Sequence, residues 1–261
     1  MAGTAWFKEN PADDEFEPAL TELLSEHRPD ALPRVIAWEG QRILTHDVGP
    51  RLRDLLDAAE PAPSWEEILP LYAELQLEFM QLADAALELG TPDDRPALLA
   101  ERYVALGGDR LEAVSGAAER LAGSLPPTVA HMEAHDGNIF VRRGRPVWID
   151  WAEAVITHPF LGPLQTVRNA ADRLGYEPGS AEVERLCDLY LEPFSSFAPM
   201  PELRKLFADG YLLHGISRAD LWRRTLERIP GAARSEFGRP VDAWLAIIAE
   251  LVDGTTTLGG A

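Results

Sequence analysis

Two short stretches carry side chains suited to holding metal ions against phosphate. The first is His131-Met132-Glu133-Ala134-His135-Asp136-Gly137-Asn138; the second, after a short gap, is Ile149-Asp150-Trp151. Transfer of a γ-phosphoryl group needs a carboxylate to orient or deprotonate the acceptor hydroxyl. It also needs hard oxygen ligands to hold Mg²⁺ against the phosphates, and a cation to neutralise the phosphate tail. Glu133 and Asp150 offer carboxylates and Asn138 an amide oxygen. His131, Glu133 and His135 also alternate, and on a strand they would share one face, as two-His-one-carboxylate metal sites require. A metal-dependent hydrolase or oxygenase is therefore a third reading, although it leaves Asn138 and Asp150 unused.

These residues need a hairpin to hold them. Asn138-Ile139-Phe140-Val141-Arg142 and Pro146-Val147-Trp148-Ile149-Asp150 are strand-like, with Arg143-Gly144-Arg145 as the turn, so Asn138 and Asp150 can face the same ion. Upstream, a short aromatic strand is expected over 5–9, ended by Asn10-Pro11, then a helix over 14–27 with Phe16, Leu20, Leu23 and Leu24 on one face. Two strands, 34–38 and 42–45, follow around Gly40. From 50 to 124 the pattern is helical. A long periodic segment over 65–89 has Ser64 as N-cap, Glu67 completing a capping box and Gly90 as C-cap. Pro70 is expected to kink it or split off its first turn. Trp65, Tyr72 and Phe79 recur every seven residues, the spacing of a helix face packed into a core. Further helices are expected at 94–106 and 109–123, and again after Pro159, with breaks at 175–179, 198–201 and 230–240. The order is α+β with two unequal lobes.

The motif region resembles the aminoglycoside phosphotransferase and choline kinase-like family, relatives of the protein kinases. The usual signature there is His-Gly-Asp-Leu-His-Pro-Gly-Asn followed by Ile-Asp-Trp or Ile-Asp-Phe. This chain keeps His131, His135, Gly137, Asn138 and Ile149-Asp150-Trp151. The resemblance implies that Asn138 and Asp150 are Mg²⁺ ligands and that Glu133 stands at the catalytic position, where the family has Asp. It gives His131 the role of bracing the loop and Gly137 that of allowing tight packing before Asn138. Trp6-Phe7-Lys8 resembles the strand whose lysine binds the nucleotide phosphates, with Glu17 as the lysine's partner. Leu44-Thr45-His46-Asp47-Val48-Gly49 resembles the hinge that meets the adenine.

The implied fold is α+β, protein kinase-like and bilobal. Residues 1–49 would form a truncated N-terminal β lobe, and 50–261 a mostly helical C-lobe with the catalytic hairpin at 128–151. Only seven residues precede Lys8, so the family's first two strands and phosphate-covering loop are not expected. The implied function is transfer of the γ-phosphate of ATP or GTP, with Mg²⁺, to a hydroxyl of a small molecule. The alternative is a catalytically impaired kinase-like protein that binds a ligand or partner. It is motivated by Glu133, whose extra methylene moves the carboxylate by roughly 1.5 Å, where a misplacement near 1 Å can cost about a hundredfold in rate.

Composition narrows the partners. With 43 acidic and 24 basic residues the net charge is −19, which argues against nucleic acid and anionic membranes and favours a cationic acceptor, such as an aminoglycoside or amino alcohol. No run approaches the roughly 18 apolar residues that span a bilayer. Met1-Ala2-Gly3-Thr4-Ala5 is not a signal peptide, so a cytoplasmic protein is expected. The single cysteine, Cys187, excludes an internal disulfide and lies in an apolar run as a small core residue. His158-Pro159-Phe160 is read as structural, Asp136 as a surface residue or local cap, and Trp222 and Trp244 as core packing rather than acceptor contacts.

Overall fold

The computed structural model describes residues 4–255, apart from the side chains of Ala232, Ala233 and Ser235. Residues 1–3, part of the N-terminal stretch discussed above, and residues 256–261 lie outside it. Strand β1 (Ala5–Glu9) leads through a 3₁₀ turn (Ala12–Asp14) into α1 (Glu17–His27). The helix starts three residues later than its periodicity predicts, because Ala12–Asp14 takes the tighter turn; Pro18 sits in the first turn, where its missing N–H costs nothing. Strands β2 (Val35–Glu39) and β3 (Arg42–His46) complete an antiparallel sheet in the order β1-β3-β2. In its register Lys8 lies opposite Ile43.

After β3 the chain turns through Val48 and Gly49 into α2 (Leu52–Asp57), then α3 (Trp65–Phe79). Ser64 and Glu67 form the expected capping box, the Ser64 N–H donating to Glu67 Oε2 at 2.8 Å. Pro70 is accommodated inside α3. The single helix expected over 65–89 is interrupted by a 3₁₀ turn (Met80–Leu82) and resumes as α4 (Ala83–Glu88). Trp65, Tyr72 and Phe79 are all buried. Helices α5 (Pro96–Ala105) and α6 (Leu111–Ala122) follow.

Two strand pairings then shape the central region. Strand β4 (Thr128–Ala130) pairs antiparallel with β7 (Val155–Thr157), three residues each, too short to show a period in the sequence. Between them β5 (Ile139–Arg142) and β6 (Arg145–Trp148) form the expected hairpin. Its two-residue turn has positive φ at both Arg143 (54°) and Gly144 (77°), the geometry whose twist matches the flanking strands. The remaining helices are α7 (Leu164–Leu174), α8 (Ala181–Leu191), α9 (Met200–Arg228), the short α10 (Gly231–Arg234) and α11 (Pro240–Val252). Among the described residues no helix is long and apolar enough to cross a membrane.

One hydrophobic cluster runs from Leu20 and Leu24 of α1 through Tyr72 and Phe79 of α3 to Trp148, Trp151, Phe160, Tyr190 and Phe207. Backbone bonds stitch the hairpin to the N-terminal elements: Trp148 N donates to Ala31 O at 2.9 Å, and Val141 N to Pro50 O at 2.8 Å. The chain passes so close to β5 at Gly49 that a Cβ there would lie 2.3 Å from Val141 O, and φ at Gly49 is +94°. Gly49→Ala must therefore shift backbone and strain φ together. It is expected to cost about 2–3 kcal/mol and to lower the thermal midpoint by roughly 5–10 °C. Equal denaturant midpoints for the variant and the wild type would contradict this close approach.

Candidate active site

Lys8 projects from β1 and its Nζ lies 2.6 Å from Glu17 Oε2 and 2.6 Å from Asp150 Oδ1. Glu17 begins α1 and is buried, while Asp150 follows the hairpin. The other Glu17 oxygen accepts the Trp151 N–H at 2.9 Å, so this carboxylate ties the start of α1 to the chain just beyond Asp150. Burial disfavours the Lys8 charge, but Glu17 and Asp150 outweigh it and hold the ammonium above its usual value. Burial pushes the Glu17 carboxyl up against the opposing pull of Lys8.

These three groups line one end of a cavity of about 470 Å³. Ile43 and Val48 contribute apolar surface from the N-terminal side, and Phe140 and Ile149 from the hairpin. A cavity with apolar walls, a cation and two carboxylates suits a ligand that carries both a ring and phosphates. The molecule has a larger cavity, about 680 Å³, lined by α6, α8, α9 and α11, but it shares no residue with this set.

The loop from His131 to Asn138 is held by its own backbone and by its neighbours. His131 is buried; its Nε2 donates to Ile149 O at 2.7 Å, and its ring lies 4.6 Å from that of Trp151. Burial pushes its pKa below the ordinary histidine value. Met132 adopts φ +55°. Tight turns follow, with Glu133 N donating to His131 O at 2.6 Å, His135 N to Glu133 O at 2.8 Å and Asn138 N to His135 O at 2.9 Å. Asn138 Nδ2 donates to Glu133 O at 3.1 Å, orienting the carboxamide. Ile149 N donates to Asn138 O at 3.0 Å, so the Asn138 backbone pairs with the residue that precedes Asp150 at the open end of the hairpin. Asp150 itself has φ 65° and ψ 68°. A left-handed non-glycine residue costs of order 1–2 kcal/mol, and such strain gathers at functional positions.

Glu133 is clamped. Its Oε1 lies 3.0 Å from Nη2 of Arg218 on α9, and its Oε2 3.4 Å from His135 Nε2. Burial would raise this carboxyl, but His135 and Arg218 outweigh it and bring it down to about 2. It is therefore fully ionised near neutral pH and is a weak base.

No protein-family model matches the sequence, and no curated protein sequence matches it. Solved structures do match. Choline kinase LicA from Streptococcus pneumoniae aligns with a TM-score of 0.61 over 97% of this chain and 86% of its own, at 12% identity. Macrolide 2'-phosphotransferase MphH from Brachybacterium faecium gives 0.58 over 93% and 85%, at 15% identity. An ethanolamine kinase from Plasmodium vivax gives 0.62 over 95% and 77%, at 11% identity. The fold is protein kinase-like.

Within this kinase-like fold the structure brings Lys8 into direct contact with Glu17 and Asp150, and pairs the Asn138 backbone with Ile149, the neighbour of Asp150. Glu133 and Asn138 do not line the 470 Å³ cavity; they belong to the loop that leads away from it towards α9. Motif reading missed Arg218 and Glu153, which lie on elements that only folding brings to Glu133. The alternation of His131, Glu133 and His135 does not make a metal face. His131 is committed to Ile149 O, and among the described residues no three His, Cys, Asp or Glu side chains converge as a metal site. Trp222 and Trp244 are half-buried rather than core, packing beside Phe237 and His214 respectively. His158 is structural as expected: it is buried, its Nδ1 accepts the Phe160 N–H, and its Nε2 meets Ser124 Oγ at 3.0 Å.

Asp136 corrects the sequence expectation most. It is fully buried, not a surface residue. Arg53 of α2 reaches its Oδ1 at 2.7 Å, Arg173 of α7 its Oδ2 at 2.6 Å, and its N–H donates to Asn169 Oδ1 at 2.8 Å. Burial would raise the Asp136 carboxyl, but the two arginines outweigh it and hold it below its ordinary value. Its stabilising charge is thus present above the unfolded pKa, near 4, and is lost as pH falls through the lower folded value. Asp136→Asn is expected to cost about 2–3 kcal/mol at pH 7, less than a wholly buried pair because both arginines keep contact with water. In urea titrations the gap to wild type should narrow as pH drops below about 4. A gap of constant size down to pH 3.5 would count against the charged cluster.

Proposed function

We propose that this chain is a phosphotransferase that moves the γ-phosphoryl group of ATP or GTP to a hydroxyl of a small molecule. The observation that carries the reading is Lys8 bridging Glu17 and Asp150 at the end of an apolar cavity. In protein kinases a strand lysine paired with a helix glutamate, beside a metal-binding aspartate, must be in place for catalysis. The proposed lobes are residues 1–49 and 50–261, with the nucleotide between them. Its base would lie between Ile43 and Val48 on one side and Phe140 and Ile149 on the other, and its phosphates would meet Lys8.

Asn138 and Asp150 fit a hard divalent cation such as Mg²⁺. Both offer oxygen, and a two-ligand protein set completed by phosphates and water is the usual arrangement for Mg²⁺. Bound there, the ion would neutralise phosphate charge. Glu133 would orient the acceptor hydroxyl: an oxygen lone pair attacks the γ-phosphorus, the bond to the β–γ bridging oxygen breaks, and its electron pair leaves on the nucleoside diphosphate. The hydroxyl proton passes to Glu133 and on to solvent. A carboxyl with a pKa of about 2 is a poor base, so its contribution is positional, which suits a loose transition state in which proton removal comes late. The net charge of −19 supports a cationic acceptor, and a nucleotide donor accords with a cytoplasmic protein.

A second reading, a kinase-like binding protein without turnover, is favoured by one observation: both Glu133 oxygens already have partners. Two measurements separate the readings. Mg-ATP or Mg-GTP at a hundred times its dissociation constant should stabilise the protein by about 2.7 kcal/mol, a thermal shift of roughly 5–10 °C. Lys8→Met and Asp150→Asn should remove that shift. Transfer of labelled γ-phosphate is then measured on a panel of aminoglycosides, amino alcohols and neutral sugars. Glu133→Gln should lower kcat about a hundredfold and leave the nucleotide-induced shift intact. Binding without transfer to any acceptor would support the binding protein, and no binding of any nucleotide would defeat the phosphotransferase reading.

A further inference from the structure

We infer that Arg218 is a positioning residue for phosphoryl transfer, holding the longer Glu133 side chain where the acceptor hydroxyl must be oriented. The inference rests on the phosphotransferase reading. A glutamate at this position has one more rotatable bond than an aspartate, so its carboxylate reaches further and is less confined. The structure restrains it from two sides. Arg218 Nη2 lies 3.0 Å from Oε1, and His135 Nε2 lies 3.4 Å from Oε2.

Arg218 is itself fixed. Its other arm, Nη1, lies 2.5 Å from Glu153 Oε2, and its side chain is only 14% exposed. Glu153 ends the 3₁₀ turn (Trp151–Glu153) that directly follows Asp150. One planar guanidinium therefore spans the catalytic loop and the segment beyond the proposed metal ligand, and relates their positions to each other. A lysine ammonium, a single point charge, lacks the fork that serves both carboxylates at once.

The part of α9 that carries Arg218 is anchored on both sides. One turn earlier, His214 Nδ1 donates to Leu161 O at 2.9 Å, and Ser217 Oγ donates to Asp94 Oδ2 at 2.5 Å. Just beyond, buried Asp220 faces Arg102 of α5, whose Nε lies 3.8 Å from its Oδ2. The guanidinium thus projects from a rigid element, which is what positioning to within about 0.5 Å requires.

The test is a double-mutant cycle on steady-state transfer, using an acceptor that the wild-type protein phosphorylates. Arg218→Gln should lower kcat between ten- and a hundredfold with the nucleotide KM and the Mg-nucleotide thermal shift unchanged. Arg218→Lys should recover only part of the loss. In a Glu133→Asp background the carboxylate is already withdrawn by roughly 1.5 Å, so removing Arg218 should cost less than about threefold further. Equal losses in both backgrounds, or an unchanged kcat in Arg218→Gln, would overturn the assignment. Should Arg218→Gln fail to fold, the same cycle is read with Arg218→Lys. A wild type that binds nucleotide but transfers to no acceptor defeats the phosphotransferase reading, and this inference with it. A competent wild type with an indifferent Arg218 defeats this inference alone.

Discussion

Everything at the candidate site depends on one ammonium group facing two carboxylates. Lys8, Glu17 and Asp150 come from a strand, a helix start and a post-hairpin turn, and their only common point is the Lys8 Nζ, 2.6 Å from both acids. Two negative charges brought this close repel, and burying Glu17 adds a desolvation cost. The lysine offsets both. Glu17 extends the constraint through the Trp151 N–H, so the orientation of α1, the left-handed turn at Asp150 and the place of β1 are set together. A change at any one of them moves the cavity end that the three groups define.

The loop between His131 and Asn138 is the second constraint, and this chain builds it in its own way. Here Met132 takes a positive φ despite its side chain, and Asp136 is pinned by Arg53 and Arg173. Side-chain ion pairs from α2 and α7 therefore hold the loop in place. Glu133 extends the same theme through Arg218. The loop is anchored to three helices by arginines, Arg53 of α2, Arg173 of α7 and Arg218 of α9.

Strongly periodic elements were legible without the structure. Strand β1 matches its expected span, the β5–β6 hairpin and the α3 capping box form as their residue types require, and the breaks near Gly175, Ala198 and Pro230 separate α7, α8, α9 and α11. The paired strands β4 and β7 were not legible, because three residues carry no period and their partners lie far apart in the chain. The 3₁₀ turn at Met80–Leu82 was hidden for a related reason, since α3, the turn and α4 all bury apolar residues in one continuous series.

The sequence by itself determined the types of group available, the contact-ready spacing of Asn138 and Asp150 across a hairpin, and the pairing of Lys8 with Glu17, since each of these rests on local geometry or on a recognisable motif. Tertiary structure decided the rest. It buried Asp136, which looks like a solvent-facing loop acid until α2 and α7 close over it with arginines. It brought Arg218 and Glu153 to Glu133, and it committed His131 to a carbonyl rather than to a metal. The physical reason is common to all three. Charge–charge and hydrogen-bond partners are chosen by distance in space, and no pattern along the chain encodes which helix a buried carboxylate will meet.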